Sequence, residues 1–170
     1  MLGIDPGTSV TGWGVVEPAG AAFRRVASGT VGLPARLPLG ERLRRIRAAV
    51  EDLCRAHAPI AVALEKAFVA RNVQSAFRLG EARGAVLIAA AEAGLPVFEY
   101  APAQVKLTVV GYGRADKQQM MRGVALRLGV PPAEQADEAD ALALALCHLI
   151  GARLRIPERA PARRRGGAAL

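Results

Sequence analysis

Ile60-Ala61-Val62-Ala63-Leu64-Glu65 is a continuous apolar run that ends in a carboxylate. A strand covered on one face alternates apolar and polar residues, whereas a strand covered on both faces reads as an unbroken apolar run. Residues 60–65 therefore predict a central strand with helices above and below it. Upstream, after Pro38, the spacing turns helical, and Leu39, Leu43, Ile46, Val50 and Leu53 share one face of a first helix whose outer face is rich in arginine. Downstream, Asn72 is placed to cap a long Ala/Gly-rich helix over about residues 73–93, and Gly94 supplies its stop. Residues 95–100 read as the next strand.

Working outward to the N-terminal side, residues 1–5, 11–17 and 22–31 alternate and are separated by Pro6-Gly7-Thr8 and Pro18-Ala19-Gly20. Connectors so short and turn-forming predict three antiparallel strands joined by hairpins. On the C-terminal side, helices are expected over residues 102–110, 115–128 and 135–153. Three antiparallel strands, then strands alternating with helices, define an α/β class. The pattern suits an RNase H-like domain, a mixed five-stranded sheet of three antiparallel strands followed by parallel strands, with helices on both faces. The domain is expected to span residues 1–153. Residues 154–170 carry Pro, Gly, Ala and Arg with no apolar period, and read as a basic, disordered tail.

Composition bounds the rest. At 170 residues and 17.8 kDa the chain suits one domain, since domains take roughly 100–200 residues. With 52% hydrophobic and 22% charged residues it is expected to be globular. No run approaches the roughly 18 consecutive apolar residues of a membrane helix. Residues 1–5 show no basic segment leading into an apolar one, so a cytoplasmic location is expected. Cys54 and Cys147 sit in helical patterns, as buried thiols would, which disfavours a disulfide framework or a cysteine zinc site. Lys and Arg number 23 against 15 Asp and Glu, and only Lys66, Lys106 and Lys117 are lysines. Clustered arginine of this kind is the electrostatic footprint of a nucleic-acid binder, although a basic tail is equally a solvated appendage.

Four acids stand where acids are costly. Asp5 ends the first strand, Glu65 ends the apolar one, and Asp137 and Asp140 open a helix that continues Ala-Leu-Ala-Leu-Ala-Leu. Their spacing puts Asp137 and Asp140 on one face, with no Lys or Arg following at helical spacing to neutralise them. Taken singly, Asp5 is a natural turn former, and Asp137, Glu138 and Asp140 suit a helix N-terminus. Together, with the first and fourth strands side by side, they suit a divalent cation. Oxygen-only donors favour Mg²⁺ or Mn²⁺ over zinc, and two such ions can hydrolyse a phosphodiester.

The wider sequence resembles the RuvC family of bacterial Holliday-junction resolvases. The resemblance is carried, in order, by Leu2-Gly3-Ile4-Asp5-Pro6-Gly7, Leu64-Glu65-Lys66-Ala67-Phe68, residues 70–76, Pro96-Val97-Phe98-Glu99-Tyr100, Gln104-Val105-Lys106 and residues 135–143. It implies an RNase H-like endonuclease acting on four-way junction DNA as a homodimer. Paired symmetric nicks would leave 5′-phosphate and 3′-hydroxyl ends, with two Mg²⁺ ions, or Mn²⁺ in their place, on Asp5, Glu65, Asp137 and Asp140. The resemblance further implies that Lys106 is catalytic and that Lys117 lies close to the scissile strand. Phe68 would stack on a base, with Arg71 and Asn72 beside it on the DNA. As partners it implies the branch-migration proteins RuvA and RuvB, and it implies no membrane. The helix over residues 73–93 is a candidate dimer interface; the alternative is a helix fully buried inside the domain. Glu138, where the family commonly has a small residue, either competes for metal or faces solvent.

Other readings fit some of the same residues. Asp5-Pro6-Gly7-Thr8 also resembles the first phosphate loop of actin-like ATPases and sugar kinases, but those need a second such domain and loop. A non-catalytic DNA-binding module would not be expected to retain all four acids. A nuclease for hybrids or plain duplexes would need the same acids, and only the wider motif match separates it. Trp13, Tyr112, His57 and His148 lie outside every matching stretch and read as packing or surface residues.

Overall fold

The computed structural model describes residues 1–66 and 73–155, the side chains of 154 and 155 excepted. Asn72 and the basic tail beyond residue 155 lie outside the described residues. The elements are β1 (Leu2–Asp5), β2 (Val10–Ala19), β3 (Ala22–Gly32), α1 (Leu39–His57), β4 (Val62–Glu65), α2 (Val73–Glu92), β5 (Val97–Tyr100), α3 (Pro102–Val110), α4 (Lys117–Leu128) and α5 (Ala136–Arg155). The strands form one sheet in the order β3-β2-β1-β4-β5. β1, β2 and β3 pair antiparallel, while β1 with β4 and β4 with β5 pair parallel. This is the mixed RNase H-like sheet expected from the order of strands and helices in the sequence, with β4 from the apolar run paired on both sides.

Both faces are covered, and the two-residue period of the strands divides the side chains between them. Leu2, Ile4, Val62 and Leu64 are fully buried against Ile46 and Val50 of α1 and Val86 and Ala89 of α2. Ala61, Ala63 and Val16 face the opposite way, into a cluster with Val105, Val109, Met120, Val124, Leu142 and Leu146 of α3, α4 and α5. Burying side chains of this size contributes about 1.5–3 kcal/mol each for Val and Leu.

Where element ends differ from expectation, local chemistry explains it. β2 runs on through Pro18 and Ala19, and the turn falls at Gly20, with φ of 58°. Pro is tolerated there because β1 pairs only with Gly12–Val15, so Pro18 has no ladder partner on that side. α4 starts at Lys117 because Asp116 forms a capping box: its carboxylate accepts from the Gln119 N–H at 2.8 Å, and the Gln119 side chain accepts from the Asp116 N–H at 2.9 Å. α2 is not buried all round. Ala82, Ala85, Val86, Ala89 and Ala90 face the sheet, whereas Val73, Phe77 and Ile88 stand 70%, 69% and 54% exposed. Cys147 is buried, but Cys54 is only half-buried. Among the described residues no helix is long and apolar enough to cross a membrane.

The far end of α5 is tied down by Arg153. Its guanidinium donates to the carbonyls of Gly20, Ala21 and Ala22 at 2.7–3.0 Å and lies 4.1 Å from the centroid of the Phe23 ring. Arg153→Ala is expected to cost about 1–2 kcal/mol, the range of a partly exposed cation–π contact plus charged hydrogen bonds. Urea denaturation would read this as a lower midpoint at unchanged slope.

Candidate active site

Period-two alternation decides where the strand acids point. Asp5 shares its face with Gly3, and Glu65 shares its face with Ala61 and Ala63, so both carboxylates lie on the α5 side of the sheet. In the parallel pair Ile4 stands opposite Leu64, which brings Asp5 and Glu65 to neighbouring strand ends. Across the antiparallel pair Asp5 faces Gly12. Two glycines then let α5 approach. A Cβ on Gly12 would fall on the Asp137 carbonyl, and a Cβ on Gly3 would fall on the Ala141 carbonyl. The helix backbone thus rests directly on β1 and β2, with Asp137 over Gly12 and Asp140 one turn on.

Asp140 and Glu65 line a cleft of about 270 Å³ together with Lys106, Asp116 and Lys117. Lys106 comes from α3 and Lys117 from the first turn of α4, where the Asp116 capping box holds it. A roomier cavity of about 590 Å³, between the ends of α1 and α2, is lined by Arg47, Cys54 and Leu95 and shares no residue with the acid cleft. Size therefore does not mark the chemistry here; the convergence of charge does.

Burial pushes the Asp5 carboxyl up to about 7, reinforced by the charges of Asp140, Glu65 and Asp137 and opposed by Lys117. Glu65 is raised by burial and then by Asp140, with Lys106 opposing. Asp140 is raised by burial and by Asp137, against the pull of Lys117 and Lys106. These carboxylates feel one another and lack enough positive charge among themselves, which is the environment a divalent cation relieves. Oxygen-only donors fit Mg²⁺ or Mn²⁺. Among the described residues no three acids, histidines or cysteines stand close enough together to form a ready-made group for an ion.

The other expected residues divide. Phe68, Arg71 and Asn72 lie outside the described residues. Glu138 does not join the acids: it accepts from the Ser28 hydroxyl at 2.6 Å and faces Arg25 at 3.9 Å, both on β3. His148 packs, with its ring 4.5 Å from Phe98 and its Nδ1 2.8 Å from the Tyr100 hydroxyl. Sequence reasoning missed Gly3, Gly12 and Asp116. Glycine inside a strand signals close backbone approach, and Asp-x-x-Gln before an apolar run signals a cap, so both signals were present.

A family model described as crossover junction endodeoxyribonuclease RuvC matches residues 1–148. The crossover junction endodeoxyribonuclease RuvC of Alkalilimnicola ehrlichii is 52% identical over 151 residues, covering 88% of this chain and 90% of that one. The Thermus thermophilus RuvC structure superposes with a TM-score of 0.82 at 41% identity, covering 91% of this chain and 96% of that one. The T. thermophilus RuvC in complex with Holliday junction substrate gives 0.85 at 41% identity, over 90% and 94% of the two chains. A match that takes in β1 through the body of α5, and with them all four converging acids, places the chain in the RuvC family of crossover junction endodeoxyribonucleases.

Proposed function

We propose that this protein is a metal-dependent endodeoxyribonuclease that resolves four-way DNA junctions, during recombination and repair in the cytoplasm, by paired nicks made as a homodimer. The observation that carries this is the convergence of Asp5, Glu65, Asp137 and Asp140 from three elements onto one face, with Asp5 raised to about 7. Those four carboxylates would hold two Mg²⁺ ions, with Mn²⁺ as a substitute. When bound, such ions supply an activated water and charge stabilisation on the leaving oxygen, giving 5′-phosphate and 3′-hydroxyl ends. Lys106 and Lys117, which line the same cleft, hold the scissile phosphate and offset charge as it develops there. Phe68 stacks on a base beside the junction, with Arg71 and Asn72 on the backbone, and the basic tail adds sequence-independent DNA affinity. RuvA and RuvB are the partners the family resemblance implies.

The α2 helix supports the dimer. Val73, Phe77, Gly80, Gly84 and Ile88 recur at successive turns on its outward side, and a Cβ at Gly80 or Gly84 would meet nothing. An exposed apolar stripe with small residues at its centre suits a second copy of itself about a two-fold axis. Because a four-way junction has approximate two-fold symmetry, such a pair can cut opposing strands. Phe77→Asp is expected to weaken self-association by at least about 2 kcal/mol. Sedimentation velocity would find monomer where the native protein is dimer, the melting temperature of the monomer fold would hold, and nicks would become uncoupled.

The test is cleavage of a labelled synthetic four-way junction and of its component duplexes with Mg²⁺ or Mn²⁺, comparing native protein with Asp5→Asn. Symmetric nicks in the junction alone, lost in the variant while binding persists, are expected. Equal cutting of plain duplexes would make the protein a general nuclease, and binding without cleavage would make it a non-catalytic module.

A further inference from the structure

We infer that Arg83, on α2, is a positioning residue that sets the placement of Glu65. Its side chain is only 11% exposed. Nη1 donates to the backbone carbonyl of Glu65 at 2.6 Å, and Nη2 pairs with the carboxylate of Glu99 on β5. Glu99 stands opposite Leu64 in the parallel ladder, so the fork ties the last residue of β4 to the strand beside it. From the other direction the Lys66 N–H donates to the Tyr100 carbonyl at 2.8 Å.

The arrangement has a specific consequence. β4 ends at Glu65. The ladder to β1 stops at the Ile4–Leu64 pair, so Glu65 is held by a neighbouring strand on the β5 side alone, and a carboxylate on a strand end held from one side is poorly aimed. Arg83 takes up the carbonyl of that same residue. A planar guanidinium fixes two acceptors at one geometry, which a lysine ammonium cannot do. Burying that charge is costly unless it is paired, and Glu99 supplies the pair. Because α2 also carries the exposed apolar stripe, the seat of Glu65 is tied to the helix that faces a second copy. The inference rests on the reading of Glu65 as a metal-binding carboxylate.

Arg83→Met, Arg83→Lys and Glu99→Gln in the full chain test it, with Mn²⁺ binding measured calorimetrically alongside single-turnover junction cleavage. Groups that orient metal ligands are typically worth about 10–100-fold in affinity or activity. Arg83→Met is therefore expected to weaken Mn²⁺ binding and slow cleavage by about tenfold or more, at unchanged junction affinity. Arg83→Lys should recover part of this, and Glu99→Gln, which leaves the arginine in place but unpaired, should show a smaller loss in the same direction. A purely structural arginine would lower the melting temperature and leave Mn²⁺ affinity and cleavage of the folded protein at native values, and that result overturns the inference. If Arg83→Met fails to fold, the Glu99→Gln result decides in the same way. A native protein that neither binds Mn²⁺ nor cleaves would overturn the metal-site reading itself, and this inference with it.

Discussion

Asp5→Asn is expected to yield a protein that no longer cuts DNA and yet melts at a higher temperature than the native chain at pH 8 in the absence of divalent metal. The Asp5 carboxyl is pushed from its ordinary 3.8 up to about 7 by burial and by three neighbouring acids. Between those values the folded state keeps a proton that the unfolded state has released. Stability therefore falls as pH rises through that window and levels off above it. A shift of that size corresponds to roughly 4 kcal/mol as an upper figure, at about 1.4 kcal/mol per pH unit. Asparagine has the same shape and carries no charge, so it escapes this penalty.

The expected gain is about 2–4 kcal/mol at pH 8, or a rise of about 5–10 °C in melting temperature for a domain of this size. Near pH 4 it should vanish, because the native Asp5 is then protonated in the folded state. Added Mg²⁺ should close most of the gap between the two proteins. Ligand at about a hundred times its Kd stabilises the native fold by about 2.7 kcal/mol, and a variant lacking Asp5 loses most of that. Melts in EDTA at pH 5 and pH 8, repeated with Mg²⁺, separate these effects. A variant less stable than the native protein at pH 8, or one whose advantage is the same at pH 5, would show that the acids are not held in mutual repulsion.

How much of this was legible beforehand depended on whether the determining contacts were local. The apolar run at residues 60–65 marked β4 as central because covering a strand on both faces leaves no position for a polar residue. Glu65 stood out for the same reason. The sequence puts the hairpin between β2 and β3 too early, since Pro18 reads as a breaker although β1 does not pair beside it. The sequence starts α4 two residues too early, at 115 instead of Lys117, for an equally local reason, the Asp116 cap. Other features had no local signature. For Glu138 the sequence leaves metal and solvent as alternatives because its true partners, Ser28 and Arg25, are more than a hundred residues away in sequence. Arg83 carries no local signal of its role, since its fork closes only once β4 and β5 are paired. The outward side of α2 was ambiguous because small and apolar residues suit an intramolecular and an intermolecular contact equally well.

Gly12→Ala is expected to abolish cleavage by the opposite route, destabilising the fold instead of strengthening it. The added methyl would coincide with the carbonyl of Asp137 and lie 3.0 Å from the backbone nitrogen of Glu138. Both obstacles are main chain, so no rotamer change relieves the overlap and the first turn of α5 must lift away from β2. Overpacking of this kind costs about 1–3 kcal/mol. The functional cost is larger. Asp137 and Asp140 ride on that turn, and a misplacement of about 1 Å can cost about a hundredfold in rate. Gly29→Ala is the matched control. Gly29 pairs with Trp13 in the same sheet, and a methyl there would come within 3.2 Å of the Trp13 ring, a side chain able to shift. It should lose little stability and cleave within about threefold of native, well inside the effect of a misplacement. The pairing of results is what discriminates. If the acids act as one set held by close approach, Asp5→Asn is inactive and more stable while Gly12→Ala is inactive and less stable, with Mn²⁺ binding lost in both. A folded Gly12→Ala protein that binds Mn²⁺ and cleaves at the native rate would mean that Asp137 and Asp140 reach their positions without α5 seated on β2.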